Sequence, residues 1–83
     1  MKLKNEIADI IINELQLDDV TPETFDADLD LVEDLGIDSM ELTTIVIKLR
    51  EKYNIVIDEE DYENLTTLNK VVSFIDEKIR QKV

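Results

Sequence analysis

The sequence predicts an all-α fold: a small four-helix bundle of three longer helices and one short helix, with a long loop between helices 1 and 2. Three observations carry that prediction. Apolar residues recur at three- and four-residue spacing in three separate stretches. The one segment with strand propensity, residues 54–57, has no second strand to pair with. Strong punctuation is confined to Pro22 and Gly36, so most of the chain is free to run as helix.

Residues 3–16 read as the first amphipathic helix, with Leu3, Ile7, Ile10, Ile11 and Leu15 on one face and Glu6, Asp9, Asn13 and Glu14 between them. Thr21 and Pro22 then mark a turn or a brief helix start. Residues 24–37 are polar and aperiodic but carry Phe25, Leu29, Leu31, Val32, Leu35 and Ile37, which are expected to pin a long ordered loop to the core. Loops of this length are uncommon and often functional. The second helix is expected over residues 39–53, capped by Asp38 with Glu41 three residues on, as in a capping box. Its inward stripe is Leu42, Ile45, Val46, Leu49 and Tyr53, and Lys48, Arg50 and Lys52 gather near its C-terminal end, where the helix dipole favours cations. Residues 54–57 read as an extended connector, and residues 58–63 as a short helix with acids in its first turn. Thr66 or Thr67 caps the last helix, residues 68–81, whose buried face is Leu68, Val71, Val72, Ile75 and Ile79.

The 83 residues make one domain, residues 1–83, with a hydrophobic fraction of 43% that suffices for one small core. Cysteine and histidine are both absent, which removes disulfides, a Cys-based zinc site, and any Ser-His-Asp or Cys-His catalytic arrangement within the chain. The net charge of −12 and the mere four aromatic residues argue against nucleic acid and anionic membrane surfaces as partners. The charge is uneven. Between Lys4 and Lys48 there are 13 acids and no base, so that stretch would be steered toward a basic partner surface. No signal peptide, transit peptide or membrane-length apolar run is visible, and the expectation is a soluble cytoplasmic protein, a monomer with no stable membrane association. Asp26, Asp28 and Asp30 fit the first positions of an EF-hand loop, but Leu31 stands where that loop needs glycine and Ile37 where it needs its terminal glutamate, so no metal site is expected.

The chemistry gathers at residues 34–42. Gly36 permits the turn that brings the loop into the helix, Asp38 caps, and Ser39 follows in the first helical turn with its hydroxyl toward solvent. A phosphate ester there would meet free backbone N–H groups and the positive end of the helix dipole. A serine at a helix start is, on its own, most often only a cap. No G-x-S-x-G elbow surrounds Ser39, and Leu42 occupies the place an S-x-x-K pair would give to lysine, so Ser39 is not read as a catalytic nucleophile and the chain is not read as an enzyme.

The run Asp34-Leu35-Gly36-Ile37-Asp38-Ser39-Met40-Glu41-Leu42 resembles the acyl carrier protein signature, Leu-Gly-x-Asp-Ser-Leu followed by an acid, with Met40 as a volume-conserving stand-in for leucine. The resemblance extends along essentially the whole chain, through Leu49–Ile57 at the end of helix 2 and Leu65–Val72 at the start of the last helix. It implies a non-enzymatic carrier in fatty acid, polyketide or a related specialised acyl pathway. A separate phosphopantetheinyl transferase would move 4′-phosphopantetheine from coenzyme A to Ser39, with Asp38 and Gly36 shaping the site, and the arm's thiol would hold acyl groups as thioesters. A chain with no cysteine must import such a thiol. Thr44, where the fatty-acid branch commonly has an acid, and the basic Lys48, Arg50 and Lys52 point at least as much to a specialised pathway. An aminoacyl or peptidyl carrier, or an unmodified acidic helical module that binds a basic partner, are the alternative readings.

Met40 and Ile47 lie seven apart on one helical face outside the core stripe. With Thr44, and with Asp34 and Glu41 at the rim, they form the expected partner surface, suited to acyl-transferring and acyl-modifying enzymes that present basic docking patches. Ile45, Val46, Leu49, Tyr62, Leu65 and Val71 are the candidates for lining the space an acyl chain would enter, being core and liner at once.

Overall fold

A computed structural model describes residues 2–81. Three α-helices, α1 (Lys2–Leu15), α2 (Ser39–Tyr53) and α3 (Leu68–Gln81), and a 3₁₀ helix (Glu59–Asn64) follow in that order, and among the described residues no strand forms. The predicted all-α architecture is therefore the observed one. α1 packs against both α2 and α3, while the 3₁₀ helix leans on α3.

Each α-helix buries the centre of the stripe its periodicity marked, while Leu3, Ile10, Leu15, Leu42, Tyr53 and Ile79 are only half-buried. Ile7 and Ile11 of α1, Ile45, Val46 and Leu49 of α2, and Leu68, Val71 and Ile75 of α3 are almost wholly removed from solvent. Ala8 and Ile12 join them. No polar or charged residue is buried among the described ones. α1 ends one residue earlier than expected because Gln16 turns into the left-handed region at φ +56°, and the Leu17 N–H closes back on the Ile12 carbonyl at 3.1 Å. α2 stops in the same way at Asn54, φ +53°, whose N–H bonds the Arg50 carbonyl.

The lysines of α2 bind α1. Lys48 Nζ lies 2.7 Å from Glu14 and Lys52 Nζ lies 3.5 Å from Glu6. The same Glu6 carboxylate faces the Tyr53 hydroxyl. Burial, reinforced by that negative charge and by a hydrogen bond to it, pushes the phenol up to about 12.

The loop between α1 and α2 is ordered by short-range bonds. The Phe25 N–H closes on the Thr21 carbonyl at 2.9 Å and drives the Phe25 ring into the core. Leu31 and Ile37 are likewise buried, Leu29 and Leu35 are half-buried, and Ala27 adds a small anchor. Val32 departs from expectation, being 47% exposed. The reason is local: Asp30 Oδ1 accepts the N–H groups of both Val32 and Glu33, at 2.9 and 2.8 Å, and the resulting turn aims Val32 outward. The loop is also fastened to the start of α3. The Leu31 N–H donates to the Thr66 carbonyl at 2.7 Å, the Asn69 N–H to the Ala27 carbonyl at 3.1 Å, and the Asn69 side-chain amide to Asp28 at 2.6 Å. Asp30 and Thr67 form an isolated antiparallel bridge at the same place.

The connector 54–57 is extended, with Ile55 and Ile57 inward and Val56 outward, the period of a strand that lacks a neighbour. The short third helix is a 3₁₀ segment shifted one residue along, and it buries none of its residues fully. Thr67 is the cap of α3, its hydroxyl accepting the Lys70 N–H at 3.1 Å.

Candidate functional site

The site is the junction where the long loop becomes α2. Gly36 adopts φ +72°, and an added Cβ would meet nothing within 4 Å, so glycine is required there for backbone freedom and not for space. The loop closes on itself just before the helix: the Gly36 N–H donates to the Val32 carbonyl and the Ile37 N–H to the Leu31 carbonyl, both at 3.1 Å. Buried Ile37 then anchors the last residue before the cap.

Asp38 is extended, at φ −87° and ψ 175°, and its Oδ1 accepts the Glu41 N–H at 2.8 Å. The return bond, from the Asp38 N–H to Glu41 Oε1, is longer at 3.4 Å. The capping box is thus formed, with one strong arm and one weak arm. Ser39 opens the helix and is exposed, as are Asp38 and Gly36. Of the donors in the first turn, Glu41 N–H is taken by Asp38 and Leu42 N–H by the Asp38 carbonyl. Those of Ser39 and Met40 take no partner among the described residues. A solvent-facing hydroxyl beside two open N–H donors at the positive end of a 15-residue helix is suited to hold a phosphodiester.

The local field opposes one. Asp38, Glu41 and Asp34 stand in the sequence around Ser39, and no base lies between Lys4 and Lys48. Asp34 is exposed and turned into the loop, its Oδ2 accepting the Asp30 N–H at 2.8 Å. Asp26 likewise serves the backbone, accepting the Asp28 N–H at 3.0 Å.

Along α2, Met40 is 78% and Ile47 43% exposed, so neither belongs to the core. Thr44 is half-buried and its hydroxyl donates back to the Met40 carbonyl at 3.0 Å, as Thr43 does to Ser39 at 2.8 Å, which leaves the methyl of Thr44 as its outward chemistry. Glu41 is half-buried and engaged in the cap. Val32 and Val56, the latter 65% exposed, are further outward apolar side chains, Val32 against the expectation that it pins the loop and Val56 in a connector for which no direction is predicted. The residues considered as acyl-chain lining are close-packed: Ile45, Val46, Leu49, Leu65 and Val71 are buried and Tyr62 is half-buried at the surface.

Comparison with known proteins decides the family. The profile described as the phosphopantetheine attachment site matches residues 5–75. The chain belongs to that family, the acyl carrier proteins. Among its relatives, the acyl carrier protein of Chlamydia trachomatis is 36% identical over 78 residues, covering 94% of this chain and 97% of that one. Those of Wolinella succinogenes, at 34% over 92% of this chain and 96% of that one, and Campylobacter hominis, at 30% over 99% and all of that one, are similar over the same span. The solution structure of a candidate acyl carrier protein from Anaplasma phagocytophilum has the same fold, with a TM-score of 0.83 at 23% identity over 93% of this chain and 88% of that one. Acyl carrier proteins are carriers and not catalysts, and their prosthetic group is covalent 4′-phosphopantetheine. The exposed hydroxyl and paired free donors at residues 39–40 fit an acyl carrier's group. Among the described residues no helix is long and apolar enough to cross a membrane.

Proposed function

We propose that Ser39 is the attachment point, and that the chain carries acyl groups for soluble enzymes of fatty acid, polyketide or a related acyl pathway in the cytoplasm. The observation that supports this most is the exposed Ser39 hydroxyl at the first residue of α2, beside N–H groups of Ser39 and Met40 that take no partner among the described residues. Once esterified there, the group supplies the thiol that holds an acyl chain as a thioester. The chain's own residues do the rest. Gly36 and buried Ile37 fix the approach of the loop, and Asp38 holds the first helical turn in place. The N–H groups of Ser39 and Met40 and the helix dipole would favour the negative charge of a phosphodiester held there.

The acids around Ser39 give the partners their character. A phosphopantetheinyl transferase must bring bases or a metal ion to offset Asp34, Asp38 and Glu41 before it can deliver an anion to the hydroxyl. Enzymes that act on the loaded carrier dock by the same logic, with basic patches around an apolar contact on Met40, Ile47 and the Thr44 methyl. Encounters of this kind are fast and salt-sensitive, which suits a monomeric carrier that visits many enzymes in turn. An acyl chain long enough to need the core would pass between Ile45, Val46, Leu49, Leu65 and Val71, with Tyr62 at the surface, and would have to part side chains that now touch.

The test is labelling with a fluorescent coenzyme A derivative and a broad-specificity phosphopantetheinyl transferase. The wild-type chain takes the label and the Ser39→Ala chain does not. A Ser39→Ala chain that labels as fast as wild type would remove Ser39 from the role, and a wild-type chain that never labels would leave an unmodified acidic module.

A further inference from the structure

Sulfur is scarce in this chain. Cysteine is absent, and the only methionines are Met1 and Met40. Met40 follows Ser39 directly in the first turn of α2, and at 78% it is the most exposed large apolar side chain among the described residues. Its backbone is held in place, because the Thr44 hydroxyl donates to the Met40 carbonyl at 3.0 Å and Asp38 caps the same turn through the Glu41 N–H at 2.8 Å. The thioether therefore projects from a fixed point beside the acceptor hydroxyl. It belongs neither to the core nor to the side chains packed against it, so the fold does not depend on its staying apolar.

An exposed thioether is open to peroxide. The sulfur gives a lone pair to one peroxide oxygen, the O–O bond breaks, and the leaving hydroxide takes up the proton that the transferred oxygen sheds. One sulfoxide and one water result: sulfur loses two electrons and the peroxide gains them. The step turns a flexible apolar side chain into a polar one, and it is undone by methionine sulfoxide reductases, whose paired thiols become a disulfide as the oxygen leaves as water. The local field selects the oxidant. Asp38 and Glu41 flank Ser39 and Met40, and no base lies between Lys4 and Lys48. Anionic oxidants such as hypochlorite are repelled there, whereas uncharged hydrogen peroxide is not.

We propose that Met40 is a site of reversible oxidation by peroxide, and that its sulfoxide form weakens the docking of partner enzymes on α2 while the fold stays intact. The proposal rests on the reading of Ser39 as the attachment point and of Met40, Ile47 and the Thr44 methyl as the face that partners touch. In the reduced chain Met40 offers an apolar contact next to the hydroxyl. In the oxidised chain the same contact buries a sulfoxide oxygen that an apolar partner surface leaves without a donor, a penalty that corresponds to about a tenfold loss of docking. The state of the arm does not protect it. A thiol capped as a thioester is closed to peroxide, but the thioether beside Ser39 stays open, so the switch acts on the loaded carrier as well as on the bare one.

The experiment takes the full chain before any arm is attached, treats it with hydrogen peroxide, and removes the peroxide with catalase and desalting. The tryptic fragment of residues 5–48, which holds Met40 and not Met1, should gain one oxygen at a rate close to that of a free methionine peptide. Helix content and Tm should not change. Transfer of a fluorescent coenzyme A arm to Ser39 by a broad-specificity phosphopantetheinyl transferase should lose about tenfold in kcat/KM, chiefly through KM. The two epimer-specific methionine sulfoxide reductases together should restore it. Met40→Leu, whatever its own starting rate, should show the same kcat/KM before and after peroxide, and Met40→Gln should carry a comparable loss with no peroxide at all. A fully oxidised wild-type chain that labels as well as the reduced one overturns the switch and leaves the Ser39 reading standing, whereas a chain that never labels overturns both. Slow oxidation of Met40, unfolding on oxidation, a peroxide loss that persists in Met40→Leu, or one that the reductases do not reverse would each overturn the switch.

Discussion

Replacing Asp38 separates two jobs that one carboxylate does. It accepts the Glu41 N–H at 2.8 Å, and it places a negative charge at the start of α2. Alanine removes both. Loss of an N-cap costs about 0.5–2 kcal/mol and typically ~1, and the lost interaction of the charge with the helix dipole adds about 0.3–1 kcal/mol at an exposed position. Asparagine caps about as well as aspartate, so Asp38→Asn should lose only the dipole part. An 83-residue chain has roughly 4–12 kcal/mol of stability in all. Asp38→Ala is therefore expected to lower Tm by about 4–8 °C for each kcal/mol, a large fraction of what holds the fold. Glu41→Ala should cost less, because its return bond of 3.4 Å is at the outer edge of useful geometry. Urea unfolding followed by circular dichroism gives the three values, with an unchanged slope required for a like-for-like comparison. The rate of phosphopantetheine transfer to Ser39 measured on the same variants then shows whether the charge matters to the partner. Asp38→Asn should fold nearly normally yet be modified more slowly and with less dependence on salt. The reasoning fails if Asp38→Ala is as stable as wild type within about 0.3 kcal/mol, or if asparagine destabilises as much as alanine.

Other consequences follow from single contacts. Leu31→Ala removes a side chain 1% exposed that anchors the loop beside the start of α3, and should cost about 2–5 kcal/mol; urea unfolding measures it, and a cost under ~1 kcal/mol would mean the loop carries no structural weight. Tyr53 gives a pH dependence of known sign. Its phenol ionises at about 12 in the folded state against 10.0 for the ordinary group, so its share of stability is complete below pH 10 and is lost as pH rises from 10 toward 12. Tyr53→Phe should flatten that decline relative to wild type, and parallel curves would refute the upward shift of the phenol that burial, with Glu6, produces. Met40→Glu and Ile47→Glu place charge on side chains already 78% and 43% exposed, so helix content and Tm should hold while turnover by partner enzymes falls. Unfolding of either variant would show that the residue serves the core.

How much of this was legible in the sequence depended on range. Contacts within one helix turn were: the Asp38 cap with Glu41, the glycine at φ +72°, and the inward stripes of α1, α2 and α3 all follow from spacing and residue type. The outward placement of Met40 and Ile47 followed from the same helical arithmetic. Contacts across the chain were not. Nothing in residues 24–37 says that Asn69 will bond Asp28, 41 positions away, or that Thr66 will take the Leu31 N–H. Val32 was misplaced because apolar character was read as burial, whereas the Asp30 side chain builds a turn that directs Val32 to solvent. The short third helix tightened to 3₁₀ geometry because a six-residue segment with no fully buried residue has little packing to hold it in the α form. The lysines of α2 were credited to the helix dipole, yet Lys48 and Lys52 reach across to Glu14 and Glu6, a pairing that only the packing of α1 on α2 creates.

One mass measurement decides whether this chain is a carrier loaded at the start of α2. Trypsin cannot cut between Lys4 and Lys48, so the fragment of residues 5–48 contains Ser39, while Ser73, the other serine, falls outside it. After incubation with coenzyme A and a phosphopantetheinyl transferase, that fragment should gain the mass of a single phosphopantetheine, and the Ser39→Ala fragment should gain nothing. An unmodified wild-type fragment under forcing conditions, or an equal gain in the Ser39→Ala chain, would contradict it.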